Sequence, residues 1–552
     1  MRYGQLLNVM SEMRDGAKLS CDVRYPARGG PFPVVLTRTA YNNSVARTPE
    51  NEAALRWWLD AGYAVVSQDC RGRSDSGGVF RPFDEHTDGY DTIEWIARQP
   101  WCNGKVGMHG HSYTAYTQVA AARLRPPSLR AITPSGMGFD NFKNVSLFNG
   151  VLQVSSFNWA VGNDGRSEKP MPLVDWERVY RTLPISKLGE AVGVDSPILR
   201  DWFSHPTYDS FWRKQSLEPA IEDLNLAVFL AGGWYDKFAF GVAELFRLLA
   251  TRSKCRHIKM IMGPWTHSFS ESRKVGDVDF GPKILVRMDE VKKAWLDRFL
   301  KGVRNGADDE RVSIFVMGIN RWRVEETWPL ERTRYESYYL GSTRRANSVR
   351  GDGSLTAAPG SRREVETYRY DPRDPAPSIG GLTYAFTGTT GPYDQTAAEK
   401  RKDVLVYTTP VLRKPLEATG FVKAELYVST NVPDTDFIAR LCDVYPDGRS
   451  IVLCDGVLRA RYREGLDRQV MMKPGRVYRI EIPMDVTSNV FLPGHRIRLE
   501  VTSSCFPRIF RNLNTGGDIA EEKRPRTAGI ALHQSAKYPS RLILPVIGGK
   551  RG

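Results

Sequence analysis

The sequence lacks the features typical of exported, disulfide-bonded and membrane-spanning proteins. It has only seven cysteines among 552 residues, an odd number without motif spacing. No apolar run approaches the roughly 18 residues needed to cross a bilayer, and no signal-peptide stretch follows Met1. We therefore expect reduced thiols in a cytoplasmic protein that does not enter a membrane.

Clustered basic charge is also missing. The formal net charge is +15, but lysine and arginine are spread along the chain without a run of five. No aromatic-basic signature of RNA-binding proteins accompanies them. The charge therefore predicts a basic solvated surface rather than a nucleic-acid partner.

Histidine is scarce, with eight residues, and there is no His-Glu-x-x-His or Cys-x-x-Cys motif. His109 and His111 form a His-x-His pair, to which Asp84, Glu85, His86 and Asp88 could add metal ligands. The pair lies around the Gly-x-Ser turn, with His111 as its middle residue. Packing at the end of a strand explains this placement better than a metal site does. We expect neither a catalytic metal nor a cofactor.

The most informative stretch that is present is Gly110-His111-Ser112-Tyr113. It follows a short segment, residues 105–109, that can form a buried strand, and it precedes a helical segment with a small-residue face, residues 115–122. Strand, tight Gly-x-Ser turn and helix are the context of a nucleophile elbow, which holds a serine hydroxyl clear of the sheet. The pattern predicts that Ser112 attacks an acyl carbonyl.

Two later strand ends carry the acid and the base that such a serine needs. The apolar run 226–231 leads to Asp236, and the run 258–262 leads to His267. This is the order Ser, Asp, His of α/β-hydrolases. Asp236 could instead cap the following helix, and His267 could be an ordinary loop histidine. The three residues together favour a catalytic triad.

An oxyanion hole completes this machinery, because aimed hydrogen-bond donors stabilise the tetrahedral intermediate. The backbone N–H of Tyr113, directly after the serine, is one donor by the geometry of the elbow. The second donor usually comes from a loop after an early strand. Here that strand covers residues 33–37, and Tyr41 lies in the loop that follows.

Further motifs recur along nearly the whole chain. They are residues 68–73, 101–108, 110–113, 232–236, 263–267, 317–318, 322, 328–330, 434–437, 458–463 and 494–499. In sequence and order they resemble the cocaine esterase / X-Pro dipeptidyl-peptidase family of serine hydrolases. The resemblance implies that the Tyr41 hydroxyl is the second oxyanion donor. One departure is Ala115, where the family usually has glycine; alanine is still small enough for close packing.

The chain divides into segments with different sequence patterns. Residues 1–137 and 216–333 alternate strands and helices, as in an α/β core with a mostly parallel sheet. In residues 138–215 the strands stop and aromatic residues and helix formers dominate, which indicates a helical insertion. Residues 334–552 contain strands with period-two alternation, typical of a β-sandwich. The resemblance implies an α/β-hydrolase core, a cap over the active site and a C-terminal jelly roll.

The sequence therefore predicts a serine hydrolase that cleaves an ester or amide bond through an acyl-enzyme. Its expected partner is a small-molecule ester or amide or a short peptide. One alternative is an X-Pro dipeptidyl aminopeptidase, which needs an acidic pocket for the substrate amine; Asp164, Glu168 and Asp175 are candidates. Two further alternatives are an enzyme that transfers the acyl group in a biosynthetic route and a non-catalytic binding protein. The sequence does not determine the acyl specificity or the oligomeric state, and a homo-oligomer is one of the states it allows.

Overall fold

The computed structural model of this chain describes residues 3–43, 49–269, 272–343, 345–360, 364–382 and 388–548. The first part of the chain alternates strands with helices. Its elements are β1 (Tyr3–Glu12), β2 (Lys18–Pro26), β3 (Phe32–Thr39), α1 (Pro49–Asp60), β4 (Ala64–Asp69), α2 (His86–Ala97), β5 (Cys102–His111), α3 (Tyr113–Arg123) and β6 (Leu129–Ser135).

A mainly helical segment follows. It contains β7 (Leu147–Phe148), β8 (Val151–Leu152), α4 (Val154–Gly162), α5 (Trp176–Tyr180), α6 (Leu188–Ala191), α7 (Pro197–Ser204) and α8 (Ser210–Lys214). The prediction that strands stop here is wrong in one detail, because β7 and β8 pair as a two-residue antiparallel hairpin. So short a pair leaves no alternating pattern in the sequence.

The α/β pattern then resumes. Its elements are β9 (Ala227–Gly233), α9 (Ala239–Arg252), β10 (Ile258–Gly263), β11 (Lys274–Val275), β12 (Val278–Asp279), α10 (Met288–Leu296), β13 (Val312–Val316) and β14 (Arg321–Glu325). After α10 the helical path continues as a π-helical turn, Asp297–Lys301.

Ten of these strands form one sheet in the order β1-β2-β4-β3-β5-β6-β9-β10-β13-β14. The strands from β4 to β13 in this order run parallel, and antiparallel strands lie at both edges. Every residue of β9 and β10 is buried, as expected for parallel strands covered on both faces. This is the α/β-hydrolase arrangement, and it brings the carboxyl ends of β5, β9 and β10 to one edge of the sheet.

The remaining strands build the C-terminal jelly-roll sandwich. They are β15 (Thr333–Gly341), β16 (Ser354–Thr356), β17 (Glu364–Tyr370), β18 (Leu405–Thr408), β19 (Leu416–Thr430), β20 (Asp436–Val444), β21 (Ser450–Arg459), β22 (Tyr478–Phe491), β23 (Arg496–Thr502), β24 (Ala528–Gln534) and β25 (Arg541–Ile547). All eleven are connected by hydrogen-bonded pairing. We propose that the two sheets and the helical segment correspond to the three predicted domains.

Two sequence-based expectations concern the chain as a whole. The seven cysteines all lie in the described part of the chain, and none of them forms a disulfide there. Within the described ranges, no helix combines the length and the apolar character needed to cross a lipid bilayer.

Candidate active site

Ser112 stands in the tight turn between β5 and α3. Its φ of 60° and ψ of −127° lie in a region that residues other than glycine rarely adopt. A Cβ at Gly110 would lie 2.2 Å from Oγ1 of Thr114, so this turn closes only around glycine. Ala115 is fully buried in the first turn of α3, and the departure from glycine fits there. The strained turn leaves the Ser112 side chain partly exposed at the sheet edge.

The structure brings Ser112, His267 and Asp236 together. His267 Nε2 lies 2.9 Å from Ser112 Oγ, and Nδ1 lies 3.2 and 3.1 Å from the two carboxylate oxygens of Asp236. Asp236 is 1% exposed and His267 is 7% exposed. The pattern assigns the Nδ1 proton to the bond with Asp236 and leaves Nε2 to accept the serine proton.

The electrostatics favour an ionised Asp236. Burial raises the pKa of this carboxyl group, but the nearby His267 and its hydrogen bond outweigh burial, so that the pKa lies below its ordinary value. Asp236 also accepts a hydrogen bond of 3.2 Å from the backbone N–H of Phe238 at the start of α9. The N-cap of α9 is Phe238, so Asp236 does not cap this helix, and its bond to Phe238 N closes a turn just before it.

The loops after β9 and β10 are held against each other by backbone hydrogen bonds. Trp234 N donates to Gly263 O at 2.8 Å, and Tyr235 N donates to Trp265 O at 2.9 Å. A Cβ at Gly233 would lie 2.2 Å from Trp265 O. Since Asp236 and His267 lie on these two loops, this close approach sets the distance between them.

The two tyrosines predicted for the oxyanion hole lie beside Ser112. Tyr113 is the first residue of α3, so its N–H has no partner within the helix. The hydroxyl oxygen of Tyr41 accepts a hydrogen bond of 2.9 Å from Nε1 of Trp159 in α4. A phenol can accept and donate at once, and this bond orients the Tyr41 hydroxyl.

A cavity of about 40 Å³ adjoins Ser112. Its walls come from the core and from the helical segment, and most are apolar. The lining residues are Tyr41, Phe83, Ser112, Tyr113, Met137, Val145, Ser146, Ser155, Ser156, Trp159, Lys237 and Phe238. None of Asp164, Glu168 and Asp175, the predicted partners for a substrate amine, is among these residues. Asp175 instead caps α5 by accepting from Arg178 N.

Lys237 is a site residue that the sequence reasoning missed. Its ammonium group lies 3.2 and 3.1 Å from the hydroxyl oxygens of Ser155 and Ser156. Burial lowers the pKa of Lys237 to about 8. Its position directly after Asp236 was the one available indication, because a side chain that neighbours a triad acid lies close to the site.

His109 and His111 contact different partners. His109 packs against Trp58, with ring centroids 5.5 Å apart, whereas His111 Nδ1 lies 3.2 Å from Ser135 Oγ. The His111 ring also contacts that of His267, at 4.6 Å between centroids. Burial, with the neighbouring His267 and Lys292, lowers the pKa of His111 to about 3. His111 is therefore a neutral packing group behind His267.

Two of the three carboxylates considered beside this pair, Glu85 and Asp88, are engaged elsewhere. Glu85 accepts a hydrogen bond of 2.8 Å from the Tyr113 hydroxyl and lies 3.3 Å from the Arg38 guanidinium. Asp88 is paired with Arg71 at 2.6 Å. These contacts fix the elbow and the loop beneath it.

Comparison with known proteins covers almost the whole chain. Residues 15–269 match the family model of the X-Pro dipeptidyl-peptidase (S15 family), and residues 305–543 match that of the X-Pro dipeptidyl-peptidase C-terminal non-catalytic domain. A cocaine esterase of Rhodococcus sp. (strain MB1 Bresler) is 38% identical over 99% of both chains.

Two solved structures share the fold over the full length. An aminopeptidase from a marine sediment Thaumarchaeota archaeon is 26% identical, with a TM-score of 0.85 over 99% of this chain and 97% of that one. A selenomethionine-labelled α-amino acid ester hydrolase is 25% identical, with a TM-score of 0.86 over 99% and 96%. The likeness therefore includes both sheets and the helical segment, which lies in the chain between β6 and β9 of the first sheet.

Proposed function

Because this chain belongs to the cocaine esterase / X-Pro dipeptidyl-peptidase family of serine hydrolases, we propose that Ser112, His267 and Asp236 are its catalytic triad. The enzyme cleaves an ester or amide bond through an acyl-enzyme. The observation that carries the assignment is the hydrogen-bonded chain from Ser112 Oγ through His267 to Asp236, at 2.9 and 3.1 Å.

In the first half of the reaction, Ser112 Oγ attacks the substrate carbonyl while His267 Nε2 takes its proton. The carbonyl oxygen becomes an oxyanion, to which the Tyr41 hydroxyl and the Tyr113 N–H donate hydrogen bonds. His267 then gives its proton to the leaving oxygen or nitrogen, and the bond to the leaving group breaks. Asp236 holds the imidazole in place and stabilises its charged form throughout.

In the second half, a water molecule replaces the leaving group. His267 takes a proton from this water, whose oxygen attacks the acyl-enzyme carbonyl, and the same two donors hold the second oxyanion. His267 returns the proton to Ser112 Oγ, which releases the carboxylic acid. Every step uses groups of this chain and water.

Ester hydrolysis is the preferred form of this activity. An X-Pro dipeptidyl-peptidase needs a carboxylate to bind the free amine of its substrate. Among the described residues lining the cavity beside Ser112 there is no aspartate or glutamate, and the one ionised side chain there is the cation of Lys237. This charge supports an esterase over an aminopeptidase. We also propose a cytoplasmic location, which the unpaired cysteines support.

The test is a panel of aryl esters, amino-acid esters and X-Pro anilides. We expect wild type to cleave aryl esters with a higher kcat/KM than X-Pro anilides, and Ser112→Ala to lose at least about a thousandfold in kcat. A fluorophosphonate probe should label Ser112, as read by mass spectrometry of the peptides.

Ser204→Ala, at the end of α7 and outside the cavity, is the matched control and should keep full activity and labelling. Undiminished ester hydrolysis by Ser112→Ala would remove Ser112 from its role. A higher kcat/KM for the X-Pro anilides would reverse the preference for esters.

A further inference from the structure

Lys237 places a cation in the wall of the cavity beside Ser112. Its Nζ bonds the hydroxyl groups of Ser155 and Ser156, which come from the start of α4, and lies 4.8 Å from the centre of the Phe238 ring. Ser155 and Ser156 are themselves 6% and 3% exposed. An ammonium group and two hydroxyl groups thus converge at one point of an otherwise apolar wall.

The charge of Lys237 is not balanced by a carboxylate of its own. The charged groups that act on it are Asp236 and Arg508. Asp236 is hydrogen-bonded to His267, whereas Arg508 is positive and is paired with Asp455. No ion pair of Lys237 occurs in the described part of the chain. Lys237 is only partly exposed, and cations withdrawn from water in this way are usually paired, so an occupant with a negative charge would complement the cavity.

The lining of this cavity fits the acyl part of the substrate better than the leaving group. Ser112 and the two oxyanion donors line it, but His267 is not among the described lining residues. His267 gives its proton to the leaving group, which must therefore extend on the other side of Ser112. With a volume of about 40 Å³, the cavity has space for a short chain of atoms.

We propose that this enzyme is selective for monoesters of short dicarboxylic acids, whose distal carboxylate binds Lys237, Ser155 and Ser156. The inference rests on the proposed function and adds its substrate class. The serine hydroxyls, which accept from Nζ in this structure, can rotate to donate to a carboxylate. The reaction is unchanged: the ester C–O bond breaks, His267 protonates the alcohol, and water releases the dicarboxylate.

The probes are monobenzyl succinate and benzyl butanoate, which share the leaving group and a four-carbon acyl chain. We expect wild type to have the higher kcat/KM for monobenzyl succinate, measured by chromatography of benzyl alcohol. Lys237→Met should lower the ratio of the two kcat/KM values between about tenfold and a hundredfold, the range for a hydrogen bond to a charged group.

Lys259→Met is the matched control, because Lys259 is also largely buried but bonds Ala307 O away from the cavity. This variant should keep the wild-type ratio. Ser155→Ala/Ser156→Ala, which keeps the cation, should lower the ratio by a smaller factor. It provides a second reading if Lys237→Met does not fold.

Binding measurements on an inactive variant test this inference independently of the proposed function. Succinate should bind Ser112→Ala more tightly than butanoate does, by calorimetry, and the preference should vanish in Ser112→Ala/Lys237→Met. Equal kcat/KM values for the two esters in wild type, or equal binding of the two acids, would overturn the inference while Ser112-dependent ester hydrolysis still stood. If Ser112→Ala kept full esterase activity and still bound succinate more tightly than butanoate, the anion site would stand and the proposed function would be wrong.

Discussion

The hydroxyl group of Tyr41 is the side-chain donor proposed for the oxyanion hole, and this gives a prediction at the residue scale. Tyr41→Phe removes the donor but keeps the ring that packs edge-on against Tyr113. We expect kcat to fall about a hundredfold to a thousandfold, as for other oxyanion donors, with little change in KM. Steady-state kinetics on an aryl ester measure both quantities.

Tyr3→Phe serves as the control for this prediction. It removes a hydroxyl that bonds Asp60 on the surface, far along the sheet from Ser112, so kcat should not change. If Tyr41→Phe retained the wild-type kcat, the second oxyanion donor would have to be sought elsewhere around the cavity.

At this scale the sequence predicted the site residues that follow strands, and it missed Lys237, whose role depends on packing against a distant part of the chain. Ser112, Asp236 and His267 each follow a predicted strand, and parallel strands bring such positions to one edge of a sheet. The role of Lys237 depends on Ser155 and Ser156, which precede it by about eighty residues and approach it only once the helical segment has folded. No local pattern encodes that approach.

At the scale of elements, the contact between the loops after β9 and β10 determines the geometry of the site. Gly233→Ala places a Cβ against the backbone oxygen of Trp265, so the loops must separate. We expect a loss of stability of about 1–3 kcal/mol, as for overpacking. Activity should fall about a hundredfold, because small displacements of catalytic groups are costly.

Thermal unfolding and steady-state kinetics test this prediction together. Gly360→Ala is the control, since a Cβ at Gly360 meets nothing within 4 Å, and neither quantity should change. A Gly233→Ala variant with wild-type kcat would show that the distance between Asp236 and His267 does not depend on this contact.

The elements themselves were predictable where a long pattern supports them. Strands β9 and β10 are apolar runs that parallel sheets bury on both faces, and the sequences of β19 and β23 alternate with period two. The β7–β8 hairpin was not predictable, because two residues per strand show no period.

For the molecule as a whole, the two sheets share one hydrophobic interior. Trp328, between β14 and β15, lies 5.8 Å from Trp234 of the core and 6.2 Å from Phe421 of β19, measured between ring centroids. Arg323 of β14 forms a bidentate ion pair with Glu417 of β19, at 2.9 and 2.6 Å. These contacts cross from the first sheet to the second.

We therefore expect the full chain to unfold in one cooperative transition. Separate domains with small interfaces unfold independently, whereas a shared apolar interior couples them. Differential scanning calorimetry should give a single peak whose midpoint coincides with the loss of esterase activity. Ser112→Ala, which leaves these contacts intact, should give the same peak, and two resolved peaks would contradict the coupling.

The bond from the Trp159 indole to the Tyr41 phenol carries a consequence for protein engineering. The helical segment supplies a hydrogen-bond donor to the proposed oxyanion residue as well as part of the pocket wall. A chimaera that received this segment from a relative would change its substrate range and its turnover at once, unless the graft kept an N–H donor in the place of the indole. Swaps confined to residues outside α4 are the ones that can retune selectivity while sparing the chemistry.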